Sequence, residues 1–196
     1  LDIGKDSKKI LSRVGYLPSE IAFYPGMKVK DVLKLSADLR KTDCRKLSGE
    51  LCQRMQLDPG RRVEELSLGN RKKVGIVCAL QHNPRLLILD EPTGGLDPLM
   101  QREFFKILRE KNECGTTVFI SSHILSEIQK NCRRAAIIRD GKIIACGSVE
   151  ELARTNAKRV TVQGSFSSER LSGVKDIKYS DIGVSFLYSG SINVLM

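Results

Sequence analysis

The stretch that decides the fold is LLILDEPTGGLDP, Leu86–Pro98. It opens with four apolar residues, which are followed at once by two neighbouring carboxylates, Asp90 and Glu91. An apolar run without polar alternation is typical of a strand that is buried on both faces of a parallel sheet. Because ligands of open α/β sheets lie beyond the carboxyl ends of the strands, we expect a metal–phosphate ligand at Asp90 and Glu91. The alternative is an Asp-Glu pair that only caps the next helix.

Composition restricts the class of protein. The chain has 196 residues, of which 41% are hydrophobic and 29% charged, enough for one sizeable core and part of a second unit. The sequence contains no apolar run near the ~18 residues of a membrane span. Six cysteines without a C-x-x-C pair favour reduced thiols over a disulfide framework or a zinc site. The net charge of +10 is compatible with binding to nucleic acid, with binding to an anionic membrane surface, or with an organism whose proteins are generally basic. The chain has no Trp, which argues against binding single strands by base stacking.

A second apolar run predicts a neighbouring strand. TTVFIS, Thr116–Ser121, is followed directly by Ser122 and His123. If this strand lies parallel to the first, His123 emerges at the same sheet edge as Asp90 and can reach the same ligand. A lone histidine is more often a structural residue, and the sequence leaves both interpretations open.

A third motif combines a hydroxyl and a glycine at a helix start. LSLGN, Leu66–Asn70, precedes a predicted helix over Gly69–Asn83. Free backbone N–H groups and the helix dipole favour anions there, and Gly69 permits close approach of phosphate oxygens. The alternative is that Ser67 is an ordinary N-cap residue.

The remaining sequence patterns complete an α/β arrangement and become strand-rich near the end of the chain. Apolar spacing predicts a strand within Lys8–Leu17, two helices between Val29 and Met55 broken near Lys41–Asp43, and a helix over Leu99–Glu113. Asp140-Gly141 predicts a type I′ hairpin between Ala135–Arg139 and Lys142–Cys146. Ser148 and Glu151 predict a capping box for a short helix over Val149–Arg154. From Lys158 onward, short alternating strand candidates indicate a β-rich appendage.

Together these motifs resemble the nucleotide-binding domain of ABC transporter ATPases. LSLGN is similar to the LSGGQ signature, LLILDE to the Walker B strand, GLDP (Gly95–Pro98) to the D-loop, SSH to the switch-histidine loop, and GYLPSE (Gly15–Glu20) to the Q-loop. The resemblance implies an α/β fold with a P-loop NTPase-like parallel-sheet core. It divides the chain into an ABC ATPase domain over 1–156, with a helical subdomain at about 27–83, and a partial β-rich extension over 157–196. That extension resembles the one of drug- and antibiotic-type exporters.

The resemblance also implies roles for residues at the matching positions. Its cofactors are ATP and Mg²⁺, with Glu91 activating water, Asp90 organising the metal and His123 holding the γ-phosphate. The other matching positions are Ser67, Gly69 and Asn70, which would close over the ATP of a partner, Asp97 at the dimer contact, and Ser19 or Glu20 at the Q-loop. The family's glutamine aligns with Ser19, which is too short to reach a metal in the same way, so Glu20 is the alternative there.

The resemblance implies partners and a location as well. A second ABC ATPase domain, in a homodimer, and a transmembrane permease subunit are the expected partners, on the cytoplasmic face of the membrane, with no direct contact to nucleic acid. Two other hypotheses stay open. One is a non-transport ABC ATPase acting on ribosomes or nucleic acid, which only the charge of +10 supports, and the other is a non-catalytic regulatory module.

One family motif is absent from the sequence. No G-x-x-x-x-G-K-[ST] occurs in the 196 residues, so the phosphate-cradling loop and its lysine are missing. The expectation is that the chain begins after the P-loop and ends inside the extension; a naturally degenerate protein is the alternative. We therefore expect the chain alone to be inactive as an ATPase.

Overall fold

The computed structural model describes residue 2 and residues 4–154, 158–163, 174–180 and 183–188. The chain divides into two compact units, Leu1–Ile124 and Leu125–Met196. The predicted domains, 1–156 and 157–196, are defined by the resemblance, and that boundary stays a prediction. None of the helices in the described ranges is long and apolar enough to cross a membrane.

The first unit contains a parallel sheet, five α-helices and a short 3-10 helix, Val63–Glu65, among its described residues. Strands β1, β2 and β3 pair in parallel in that order, with Leu17 opposite Leu89 and Asp90 opposite Ser121. The strands are β1 Val14–Leu17, β2 Leu86–Asp90 and β3 Thr117–Ser121, and the helices are α1 Ser7–Leu11, α2 Val29–Leu39, α3 Arg45–Arg54, α4 Leu68–Leu80 and α5 Pro98–Glu113. The two helices predicted between Val29 and Met55 and the parallel pairing of the two apolar strands are confirmed.

One prediction about the strands is wrong in part. Leu87 and Leu89 of β2 are buried, but Ile88 between them is only half-buried, so β2 is not buried on both faces. Tyr16, Ile88 and Phe119 lie in adjacent register on the opposite face, where Tyr16 is 56% and Phe119 66% exposed. An apolar side chain on a strand does not reveal whether a second layer covers it.

The prediction for the start of the chain is confirmed. The strand predicted within Lys8–Leu17 is present as Val14–Leu17, and Ser7–Leu11 before it form a short helix. No residue of α1 is buried, and Leu11 is 65% exposed. The apolar side chains of α1 therefore do not join the sheet.

The second unit contains two antiparallel sheets among its described residues. Strands β4 and β5 form the predicted hairpin, and the φ angles of 49° at Asp140 and 72° at Gly141 fit the type I′ turn. Strands β6, β8 and β7 form the other sheet in that order. The elements are α6 Leu125–Asn131, β4 Arg134–Arg139, β5 Lys142–Ser148, α7 Val149–Arg154, β6 Lys158–Gln163, β7 Val174–Ser180 and β8 Gly183–Tyr188.

Local signals for the second unit are confirmed. The Ser148 hydroxyl accepts the Glu151 N–H at 3.1 Å, and the Glu151 carboxylate accepts the Ser148 N–H at 3.0 Å, which is the predicted capping box. Strands β6, β7 and β8 agree with the β-rich texture expected from Lys158 onward. The strand candidates extend to Phe166 and Met196 in the sequence, and those ends lie outside the described residues.

The six thiols are free and differ strongly in accessibility, which predicts their reactivity. Cys44 and Cys52 are buried, whereas Cys114 and Cys146 are exposed. Burial raises the pKa of the Cys78 thiol from 9.0 to about 11, which lowers its thiolate fraction about 100-fold. We expect Ellman's reagent at pH 8 to titrate Cys114 and Cys146 in a fast phase and the other thiols far more slowly. A double Cys114→Ser, Cys146→Ser variant should lose the fast phase, and a fast phase that persists in it would contradict these accessibilities.

Candidate functional site

The candidate site lies where the three parallel strands end. Asp90 closes β2, Ser121 closes β3, and Ser19 follows β1 by two residues. Parallel register places all three ends on one edge of the sheet, as expected. This edge brings together five of the residues singled out from the sequence, namely Ser19, Glu20, Asp90, Glu91 and His123.

Hydroxyl and amide groups surround the Asp90 carboxylate. The Ser121 hydroxyl donates to Asp90 Oδ1. The pKa of Asp90 is lowered, first by this bond and also by bonds from the Ser19 side chain and backbone and by the charge of Lys72, while burial opposes the shift. The carboxylate is therefore ionised at neutral pH, as a metal ligand must be.

Glu91 is held in an unusual backbone conformation. Its φ angle is +46°, a region that residues other than glycine rarely adopt. This conformation raises the free energy of the folded state, and surrounding hydrogen bonds must compensate for it. The Glu91 N–H donates to the Ser121 carbonyl at 3.3 Å and lies 3.2 Å from the Ser121 hydroxyl oxygen. Such strain clusters at functional sites, and here it turns the side chain of Glu91 toward the loop after β3.

His123 contacts Glu91 twice. Its backbone N–H donates to Glu91 Oε1 at 3.0 Å, and its ring Nδ1 lies 2.8 Å from Glu91 Oε2. A carboxylate only accepts, so Nδ1 carries the proton of this bond and Nε2 is left for another group. The His123 side chain is 79% exposed, so a ligand can reach it from solvent.

Lys72 is a residue of this site that the sequence analysis missed. It belongs to α4, is only 5% exposed, and its Nζ donates to the Ser19 carbonyl at 2.8 Å and the Pro18 carbonyl at 3.3 Å. Burial lowers the pKa of Lys72, and the charges of Asp90 and Glu91 oppose that shift. A signal was available, because Lys72 shares a helical face with Ile76 and Ala79, both buried.

The LSLGN segment lies at the start of α4. Ser67 is the N-cap residue, and its hydroxyl accepts the Asn70 N–H at 3.3 Å, so the N-cap interpretation of this serine is correct. A Cβ on Gly69 would overlap the carbonyl oxygen of Gly95, so only glycine fits at this position. Ser67 and Leu68 remain exposed, which leaves the first turn of the helix open to an anion.

Asp97 has a structural task in the chain itself. It is the N-cap residue of α5, and its carboxylate accepts the N–H groups of Leu99 and Met100, each at 3.0 Å. Glu20 is exposed and follows Ser19, whereas it is Ser19 that contributes to the lowered pKa of Asp90. At the Q-loop position, the shorter side chain is therefore the one that influences the carboxylate.

The donor set fits a magnesium ion that is completed by phosphate and water. No group of three or more His, Cys, Asp and Glu side chains suited to a metal is present among the described residues. Mg²⁺ in nucleotide enzymes is commonly bound through one or two carboxylates, with the other positions taken by phosphates and water. Asp90 offers one ionised carboxylate beside two hydroxyls, which is compatible with that mode.

Comparisons with known proteins agree with the geometry. A family model described as "AAA domain, putative AbiEii toxin, Type IV TA system" matches residues 6–128. The chain is 34% identical over 155 residues to the uncharacterised ABC transporter ATP-binding protein YhaQ of Bacillus subtilis (strain 168), covering 76% of this chain and 52% of YhaQ. It is 34% identical over 165 residues to the bacitracin transport ATP-binding protein BcrA of Bacillus licheniformis, covering 81% and 53% respectively.

The chain belongs to the AAA domain family, and its homologues are ABC transporter ATP-binding proteins. The resemblance predicted from the motifs is thereby confirmed. The chain spans about half the length of YhaQ and BcrA.

Solved structures confirm the fold class of this chain. The ATP-binding subunit of an ABC transporter matches with a TM-score of 0.74 and 24% identity, covering 79% of this chain and 66% of that chain. The dimeric bacterial ABC transporter cassette MJ0796 matches with a TM-score of 0.63 and 21% identity, covering 76% and 68%. At these identities the likeness shows the fold alone.

Proposed function

We propose that this chain is part of the ATP-binding subunit of an ABC exporter, which couples Mg²⁺-dependent ATP hydrolysis to export through a membrane permease. The observation that carries the proposal is the Glu91–His123 pair beside the ionised Asp90 at one sheet edge. BcrA, a bacitracin transport protein, supports export, and the MJ0796 cassette bound to ADP and Pi supports nucleotide chemistry.

Each side chain of the site has its own role in the proposed hydrolysis. Glu91 Oε1 or Oε2 accepts the proton of the attacking water as general base. When both ring nitrogens of His123 carry a proton, Nδ1–H donates to Glu91 and Nε2–H donates to an oxygen of the terminal phosphate, which holds the water and phosphate in line. Asp90 would hold the Mg²⁺, which neutralises phosphate charge when it is bound. Ser19 and Ser121 keep the Asp90 carboxylate ionised and oriented.

The remaining parts of the proposal concern partners. The exposed first turn of α4, with Ser67, Gly69 and Asn70, would close over ATP held by a second ABC ATPase domain in a homodimer, with Asp97 near the contact. The dimeric MJ0796 cassette supports this arrangement. A transmembrane permease would anchor the subunit at the cytoplasmic face, as expected for relatives named as transport proteins.

The test is phosphate release by the complete protein encoded by the gene, with Mg²⁺ and with EDTA. We expect Mg²⁺-dependent hydrolysis and a loss of about 100-fold in kcat for His123→Ala, since the variant leaves the water and phosphate unaligned. Reconstitution with the permease should make hydrolysis respond to the exported compound. If His123→Ala hydrolysed ATP as fast as the wild type, the role assigned to His123 in this site would be wrong. A steep salt dependence of RNA binding would instead favour an ATPase acting on ribosomes or nucleic acid.

A further inference from the structure

Lys72 connects three separate parts of the first unit. It lies five residues after Ser67 on α4, and its ammonium group bonds the two carbonyls that follow β1, those of Pro18 and Ser19. Ser19 in turn lies beside the Asp90 carboxylate at the end of β2, where its hydroxyl and its backbone N–H contribute to the lowered pKa of Asp90. One residue, Ser19, therefore lies between Lys72 and Asp90, the residue assigned to the metal.

Burying the Lys72 side chain costs free energy unless hydrogen bonds or nearby charges compensate for it. A lysine is almost never buried without a partner, and Lys72 is 5% exposed. Two carbonyl oxygens satisfy two of its three donors, and the nearby charges of Asp90 and Glu91 favour its charged form. A lysine that only covered apolar surface with its stem would keep its ammonium group in water.

We propose that Lys72 is a positioning residue that clamps the Pro18–Ser19 backbone through its two carbonyls and thereby keeps Ser19 beside Asp90, the carboxylate proposed to hold the metal. Ser19 is short, so its contact with Asp90 depends on where the backbone after β1 lies. A methionine at position 72 would keep the stem but release both carbonyls. The proposal gives the Q-loop of this chain an anchor on α4, the helix that begins at the LSLGN motif. It rests on the proposed function only for its effect on hydrolysis.

The first test measures the clamp without any activity. In the complete protein, free of nucleotide, hydrogen exchange followed by mass spectrometry reports the peptide that contains Ser19. We expect Lys72→Met to speed its exchange about tenfold, because one lost anchor is comparable to one hydrogen bond. Lys72→Arg should restore slow exchange. The matched control is Lys73→Met, because Lys73 is the next residue on α4 and is also buried, at 8% exposure.

The second test measures the metal. In Mg²⁺ titrations of ATP hydrolysis, Lys72→Met should raise the Mg²⁺ concentration for half-maximal activity about tenfold, while KM for ATP at saturating Mg²⁺ changes less than threefold. Lys73→Met should leave the Mg²⁺ dependence unchanged. A variant that was merely less stable would lose activity at all Mg²⁺ concentrations alike.

The outcomes separate this proposal from the proposed function. Unchanged exchange at Ser19 in Lys72→Met overturns the clamp, whatever the ATPase assay shows. Faster exchange in both lysine variants also overturns it, because it would mean a general loosening of α4. If Lys72→Met does not fold, hydrogen exchange of the wild-type protein is the test, because a fully unprotected Ser19 amide would contradict the proposal. Absence of ATP hydrolysis in the wild type, with the exchange result intact, refutes the proposed function alone.

Discussion

Replacing Glu91 with glutamine is expected to lower kcat for ATP hydrolysis by the complete protein about 100-fold or more, the range that general base catalysis contributes. Glutamine keeps the length and shape of the side chain, so it can still accept the His123 N–H that Glu91 accepts at 3.0 Å. It cannot take a proton from water at neutral pH. The loss should therefore fall on kcat, whereas the affinity for ATP should change less than threefold.

The control for Glu91→Gln is the same exchange at an exposed carboxylate. Glu113 ends α5 at the surface, and Glu113→Gln should leave both kcat and ATP affinity unchanged. The two constants are obtained from steady-state phosphate release and from equilibrium nucleotide binding. Equal kcat values for Glu91→Gln and wild type would show that another group is the base. A loss of ATP binding with unchanged kcat would place Glu91 in binding instead.

Replacing Gly15 with alanine is expected to destabilise the first unit by about 3 kcal/mol, at the upper end of the cost of overpacking a core. A Cβ at Gly15 would overlap the Ala79 carbonyl oxygen on α4 and lie 2.6 Å from Leu87 Cδ2. The clash involves backbone, so β1 and α4 would have to move apart rather than one side chain rotate. Because Ser19 follows β1 and Lys72 lies on α4, this shift should also disturb the candidate site.

The control for Gly15→Ala is an exposed helical glycine. Gly49 lies in α3, and a methyl group added there would have no atom within 4 Å, so Gly49→Ala should raise stability by about 1 kcal/mol. Equilibrium unfolding in urea, followed by circular dichroism, measures both changes. A Gly15→Ala protein as stable as wild type would mean that β1 packs more loosely on α4 than the Gly15–Ala79 approach indicates.

Much of the local structure can be predicted from the sequence. The strand Leu86–Asp90, the hairpin around Asp140-Gly141 and the Ser148–Glu151 capping box each depend on neighbouring residues, and all three are present. The strand Thr117–Ser121 is predictable for the same reason. Short-range patterns succeed here because backbone geometry and hydrogen bonding within a few residues select the conformation.

Burial can be predicted less well. The sequence of β2 has no polar alternation, yet Ile88 shares a partly open face with Tyr16 and Phe119. Similarly, the polar residue Lys72 is buried in α4 although its neighbours in the sequence are polar too. Burial depends on which layers cover an element, and the residues of that element indicate those layers only in part, as the helical face that Lys72 shares with Ile76 and Ala79 does.

The sequence by itself determined that Asp90 and Glu91 follow a strand, that Ser67 starts a helix and that His123 follows the next strand. Only the tertiary structure decided that Glu91 and His123 touch, that Ser19 rather than Glu20 lies beside Asp90, and that Lys72 anchors the segment after β1. The physical reasons are the parallel register of β1, β2 and β3 and the packing of α4 on β1. They bring together residues that lie from 32 positions apart, for Glu91 and His123, to 71 positions apart, for Ser19 and Asp90, and no local pattern specifies those contacts.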